Sequence, residues 1–316
     1  MKFVKMSRPI LTKDLLIRRP SRDDVQAVLG LMNACDISEN GESDSDLNSI
    51  LDDWKNLTLD QDAWIAITPF NQIVGYAAVS KAGQHFKFDL YTDPSLKSTD
   101  LATHFLSLCE LHVQALNSDR EEATAIVYIA QSNTQYIHMV EASGYTRKCI
   151  HFGMRISMEI QPQMPVWAVK ITLRNIKPGY DDRMVYDFIQ TAFDKPGRTP
   201  PTYDRWHDFM MGANNFDPEL WFLVFHEDEL IGAILCFEYP QYGWVRQLGV
   251  SPKWQGKGIG MALLKYVFRI FYDRGYSTVG LGVESVNTNA YLLYEKAGMK
   301  RKRCYIEYQK EISCEG

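Results

Sequence analysis

The chain lacks any Cys-x-x-Cys pair. Its six cysteines, Cys35, Cys109, Cys149, Cys236, Cys304 and Cys314, are scattered, and most fall inside apolar stretches. That excludes a disulfide framework or a zinc ribbon and leaves reduced structural thiols, with no metal site, as the expectation. No window reaches the run of about 18 apolar residues that crosses a bilayer. The opening MKFVKMSRPILTKDLLIRRP breaks its apolar residues with charges every few positions. Neither a signal-peptide core nor a membrane partner is therefore expected, and the predicted location is cytoplasmic. Excess positive charge is also missing: the formal net charge is -5, which gives no reason to expect a nucleic-acid partner. What remains is a chain of 316 residues, 46% hydrophobic and 23% charged, long enough for two domains that each bury a core.

The most informative stretch is Trp244 to Leu264, WVRQLGVSPKWQGKGIGMALL. Trp244 to Val250 is an extended aromatic and β-branched run stopped by Ser251 and Pro252, and from Met261 the residues Leu263, Leu264, Val267 and Phe268 return at helical spacing. Between them, Gln255-Gly256-Lys257-Gly258-Ile259-Gly260 leaves backbone N–H groups uncovered where the helix dipole favours negative charge. Lys253 and Lys257 add positive charge beside it. The stretch reads as a phosphate site or as a flexible turn. A Walker loop requires Gly-Lys-Ser/Thr, whereas Gly260 is followed by Met261 and Ala262. A dinucleotide loop places G-x-G-x-x-G directly after its strand, and too little chain follows the next strand, Ser277 to Val283, to complete a doubly wound sheet.

The loop resembles the acyl-CoA loop of the GNAT superfamily of N-acetyltransferases, (Gln/Arg)-x-x-Gly-x-(Gly/Ala), and Val250-Ser251-Pro252 resembles the V-x-P that precedes it. Downstream, Asn287-x-x-Ala290-x-x-x-Tyr294-Glu295-Lys296-x-Gly298-Met299 is similar to the family's N-x-x-A-x-x-x-Y-E-K-x-G-F, with Met for Phe. The resemblance implies an α/β (α+β) fold with a mixed, mostly antiparallel central sheet flanked by helices.

The chain also repeats itself in order. Arg19-Pro20 and Asp23-Asp24 return as Lys177-Pro178 and Asp181-Asp182, Val74-Gly75 as Ile231-Gly232, Thr92-Asp93-Pro94 as Val250-Ser251-Pro252, and Asn133 to Tyr145 as Asn287 to Met299. Two tandem GNAT-like domains are expected, 1–160 and 161–316, joined where Pro162 and Pro165 interrupt periodicity. The resemblance extends to the tandem proteins of the mycothiol synthase type through Val283-Glu284-Ser285 and Asn287. In the first domain, Lys97-Ser98-Thr99-Asp100-Leu101-Ala102 replaces the glycine loop and Val140 stands at the place of Tyr294. Asp100 brings the wrong charge for a diphosphate. That domain reads as a degenerate, non-catalytic partner helping to shape the acceptor cleft, or as a second ligand site. The acidic stretch Ile37 to Trp54 reads as a rim for a cationic amine or as a solvated face.

Acetyl-CoA is the implied co-substrate, a small-molecule primary amine the acceptor. By resemblance, the amides of Gly256, Lys257, Gly258, Ile259, Gly260 and Met261, with Gln255, hold the diphosphate; Leu248, Gly249 and Val250 offer a strand edge to the pantetheine arm. An amide near Val250 meets the oxyanion, and Asn287 contacts the cofactor or serves as a bare helix cap. Tyr294 protonates the CoA thiolate or is a core aromatic. Many members carry a Glu base on the strand ahead of the loop where this chain has Trp244; Glu238 and Glu284 are the two candidates through water, with His226 further down. Arg301-Lys302-Arg303 reads as a phosphate contact or a solvated turn. The competing class is a non-catalytic acyl-CoA sensor or scaffold, and the pattern is compatible with a monomer or a homodimer.

Overall fold

The computed structural model describes residues 14–43, 45–82, 85–96, 98–116, 122–167, 170–195, 198 and 200–313. The opening segment, Lys97 and Cys314 lie outside these. In chain order the elements are β1 (Leu16–Arg18), α1 (Val25–Asn40), α2 (Leu47–Lys55), α3 (Leu59–Asp62), β2 (Ala63–Ile67), β3 (Ile73–Ala82), β4 (His85–Thr92), α4 (Asp100–Leu116), β5 (Glu122–Ala130), α5 (Thr134–Ala142) and β6 (Thr146–Ser157). There follow β7 (Ile171–Asn175), α6 (Asp182–Ala192), α7 (Tyr203–Met211), β8 (Trp221–His226), β9 (Glu229–Tyr239), β10 (Tyr242–Val250), α8 (Ile259–Asp273), β11 (Thr278–Glu284), α9 (Thr288–Lys296) and β12 (Lys300–Ser313).

The tandem is visible strand for strand. In the first unit the sheet runs β1-β2-β3-β4-β5-β12, and in the second β6-β11-β10-β9-β8-β7. Each is mixed and mostly antiparallel, with one parallel neighbour pair, β4 with β5 and β10 with β11. The repeated sequence features have repeated physical causes. Arg18 grips Asp24 with two hydrogen bonds, at 2.8 and 2.7 Å, and Arg174 grips Asp181 likewise, at 2.6 and 2.9 Å; the pairing holds Asp24 down at about 2 and lowers Asp181. A Cβ built on Gly75 would lie 2.7 Å from Phe105 and 2.9 Å from Leu101 of α4. One built on Gly232 would lie 3.0 Å from Ile259 and 3.2 Å from Leu263 of α8. The glycine recurs because in each unit the long helix after the loop lies directly on that strand.

The division expected at 160/161 is not where the compact units part. One unit comprises 1–150 and 304–316, the other 151–303. The cause is an exchange of final strands: β12 pairs with β5 from Tyr305↔Ala130 to Ser313↔Glu122, while His151 to Ser157 of β6 pairs with β11. Each unit buries its own aliphatic and aromatic core. Cys35, Cys109, Cys149, Cys236 and Cys304 are free thiols.

A chain ending at Arg303 deletes the strand that pairs with β5 in the first unit. Hydrogen exchange should accelerate in β5 and leave β8, β9 and β10 protected; loss of protection in the second unit instead would contradict the exchange.

Candidate active site

β10 and β11 lie side by side only briefly. Their parallel register runs from Gly243↔Val279 to Val245↔Leu281, although β10 continues to Val250 and β11 to Glu284. The break coincides with a bulge: the register with β9 passes from Val245↔Cys236 to Gln247↔Leu235, leaving Arg246 as an inserted residue. A bulge bends and twists its strand, so β10 leaves β11 here while keeping β9 up to Val250↔Gly232. The Ser251 amide donates to the Ile231 carbonyl at 2.9 Å. By antiparallel alternation, Leu248 and Val250 then turn their backbone groups away from β9, into the gap. Gln255 Nε2 donates to the Val250 carbonyl at 3.2 Å, tying the loop to the strand end and leaving the Val250 amide as the inward-facing donor.

The glycine loop follows. Gly256 and Gly258 have φ of 73° and 84°, the left-handed region that L side chains disfavour, and a Cβ on either would meet nothing within 4 Å. Gly258 is the N-cap of α8 and supplies no side-chain cap, so the first-turn amides have no carbonyl before them. The Ala262 amide is the one that bonds back, to Gly258 at 2.9 Å. Gly260 serves packing instead: its Cβ would lie 3.1 Å from Leu293 of α9 and 3.7 Å from Val250. The Lys257 ammonium sits 4.5 Å from the centre of the Trp254 ring, beside the open amides.

Tyr294 is the buried residue of α9, and burial alone pushes its phenol up to about 12. It is therefore protonated throughout the neutral range. Asn287 caps α9, accepting from the Ala290 amide at 3.2 Å. Asn133 does the same for α5, accepting from Tyr136 at 3.1 Å; the repeated Asn is thus accounted for by capping in both units.

The two carboxylates part company. Glu238 faces Gly243 in the register, six ladder positions from the Val250↔Gly232 pair, or about 20 Å. There Arg274, just past the end of α8, donates to it at 2.6 Å and also to Asp217 at 2.6 Å. The structure does not bring Glu238 to the loop: strand alternation set its face but not its height along the sheet. Glu284 ends β11 beside the gap and accepts from Lys195. It alternates with Gly280 and Gly282, over which the Trp244 indole lies: a Cβ on Gly280 would be 2.9 Å from that ring, and one on Gly282 3.9 Å. Gly243, adjacent to Trp244, points the other way, onto Phe271 of α8. The gap thus has an α8–α9 face, with the loop and Tyr294, and an α6–α7 face. On the latter lie Trp244, Glu284 and Gly249, whose Cβ would be 3.0 Å from Ala192 of α6. His226 packs against Trp254, ring centres 4.7 Å apart. Sequence reasoning missed Arg246, Lys195 and the Gly280–Gly282 lane; two glycines alternating inside a strand were the available signal of a close approach.

The first unit keeps the same parting: β4 pairs with β5 only to Phe88↔Val127, yet continues to Thr92. Here the gap is tied shut. Tyr136 on α5, in the place of Ala290, shares a 2.7 Å hydrogen bond with the Thr92 hydroxyl, in the place of Val250. Ser98 Oγ accepts from the Asp100 amide at 3.0 Å, and Asp100 puts its own negative charge at the start of α4, so that helix end is satisfied from within.

Among the described residues no group of three His, Cys, Asp or Glu is placed to hold a metal, and no helix is long and apolar enough to cross a membrane. Replacing Gly258 by Ala introduces backbone strain of about 1 kcal/mol without a clash. The substitution should weaken acetyl-CoA binding severalfold in calorimetry, whereas Gly179→Ala, also at positive φ (80°) but away from the loop, should not.

Residues 183–299 match the model of the Acetyltransferase (GNAT) family. The chain is 30% identical over 177 residues to the mycothiol acetyltransferase of Streptomyces scabiei, covering 55% of this chain and 58% of that one, so it spans little more than half the length of this curated relative. A tandem GNAT protein from the clavulanic acid biosynthesis pathway superposes with a TM-score of 0.72 at 14% identity, over 96% of this chain and 100% of that one, a likeness of fold. A GCN5-related N-acetyltransferase from Sphaerobacter thermophilus superposes with a TM-score of 0.85 at 31% identity, covering 96% of this chain and 98% of that one. With that agreement along nearly the whole of both chains, and the family pattern matched in the second unit, this protein belongs to the GCN5-related N-acetyltransferase (GNAT) family.

Proposed function

We propose that the second unit transfers the acetyl group of acetyl-CoA to a primary amine of a small molecule by direct attack on the thioester. The observation that carries this reading is the gap between β10 and β11, opened at Arg246 and leading to the uncapped amides at the start of α8. The diphosphate would take the amides of Gly256 to Met261, with Lys257 beside them. The pantetheine amides would pair along Leu248 to Val250. The amine nitrogen attacks the thioester carbonyl from the α6–α7 face, the C–N bond forms and the oxyanion takes the Val250 amide. As the C–S bond breaks, its electron pair goes to sulfur and Tyr294 supplies the proton. The proton lost by the amine passes through water to Glu284, which is on the acceptor face, rather than to Glu238. A small-molecule acceptor agrees with the name of the Streptomyces scabiei relative. The first unit, its gap tied by Tyr136 and Thr92, is assigned no turnover.

The sensor reading keeps one specific support, Trp244 in the place of the family's Glu. Thiol release from acetyl-CoA against a panel of amines decides: release supports the transferase, whereas binding without release for every amine supports the sensor. Tyr294→Phe should lower kcat about 100-fold while leaving acetyl-CoA affinity unchanged; an unchanged rate would remove the assigned role. Glu284→Gln should lower kcat. Glu238→Gln should instead lower Tm, because Arg274 loses a partner, and the reverse pattern would contradict the choice between them.

A further inference from the structure

Arg246 is the residue that the bulge inserts, with no opposite number on β9 and beyond the end of the pairing with β11. Its side chain goes to the α6–α7 face. The guanidinium carbon lies 5.0 Å from the centre of the Phe209 ring on α7, and the neighbouring Gln247 accepts from Trp206 Nε1 of the same helix at 3.4 Å. Phe209 is 59% exposed and Arg246 is exposed as well. Other arginines of this unit hold carboxylates, as Arg174 does Asp181, Arg183 Asp187, Arg269 Asp273 and Arg274 Asp217. Among the described residues no carboxylate pairs with Arg246; its guanidinium lies by the Phe209 ring, and Tyr239 is also within electrostatic reach. It is open to solvent on one side and crowded by protein on the other, which lowers its pKa through desolvation. A guanidinium beside a ring, partly desolvated and without a carboxylate partner, can present its planar fork to whatever enters.

Its place says what enters. Three strand steps, about 10 Å, separate Arg246 from Gly249, on the face from which the amine approaches. We propose that Arg246 is a specificity-determining residue that binds an anionic oxygen group, a carboxylate or a phosphate, carried by the acceptor amine. This rests on the acetyltransferase reading of the same gap. A site built to pair a charged group discriminates strongly against an analogue that lacks it, and the fork favours arginine over lysine.

The test uses the full chain with two pairs of acceptors: an amino sugar against its 6-phosphate, and an ω-amino acid against its amide. The wild type should favour the anionic member of at least one pair by tenfold or more in kcat/KM, mainly through KM, and the preferred pair identifies the anion. Arg246→Gln should abolish the preference while leaving the neutral member's kcat and the acetyl-CoA Kd unchanged; Arg246→Lys should restore it in part. No preference in the wild type, or a preference that survives in Arg246→Gln, overturns the proposal. A second measurement does not depend on turnover. With CoA saturating, inorganic phosphate and acetate are titrated by tryptophan fluorescence. Saturable binding of either that weakens at least tenfold in Arg246→Gln supports the site, and equal response of the two proteins overturns it. Failure of the transferase reading shows separately, as the absence of thiol release with every amine.

Discussion

A broken backbone ladder organises the second unit. A sheet interior ordinarily satisfies every N–H and C=O; here one inserted residue, Arg246, ends the pairing of β10 with β11 and leaves Leu248 and Val250 facing a gap. Polar backbone groups left open inside a sheet favour an extended, amide-bearing ligand that completes the ladder. The glycine loop lies at the far end of the same strand, held to it by Gln255, so a ligand in the gap would run from a strand edge to a helix N-terminus without leaving backbone donors. The chemistry proposed for Tyr294 and Glu284 depends on that placement.

The two units show that the gap alone is insufficient. Both contain it, at Phe88 in one and Val245 in the other. They differ in what stands across it. Ala290 and Val250, the equivalents of Tyr136 and Thr92, carry no hydroxyls to bond, whereas Tyr136 and Thr92 bond to each other, and α4 begins with its own acid where α8 begins with glycines. A duplicated fold can thus keep its strand geometry while the side chains beside it differ. The exchange of β6 and β12 means that the first unit is assembled from two separate pieces of chain, 1–150 and 304–316, with the second unit, 151–303, inserted between them in the sequence.

Much of this was legible in the sequence. The loop from Gln255 to Gly260, the strand ahead of it, the cap at Asn287 and the tandem order follow from local chemistry, where residue type and spacing report directly on backbone conformation. The exchanged strands were not legible, because alternation in Thr146–Ser157 or Lys300–Ser313 specifies a face and not a partner. The bulge at Arg246 was hidden for the same reason: an extra residue shows only against the register of the neighbouring strand. Glu238 and Glu284 look alike in sequence and differ in height along the sheet. Trp244 stands in sequence where many family members carry a Glu; its indole lies over Gly280 and Gly282, a relation between two strands that neither strand reveals alone.

The most direct measurement is calorimetric titration of the full chain with acetyl-CoA. One open gap and one tied gap predict a single site per chain. Two sites would contradict the closure of the first unit by Tyr136 and Thr92, and no site would contradict the reading of the β10–β11 gap as the cofactor slot.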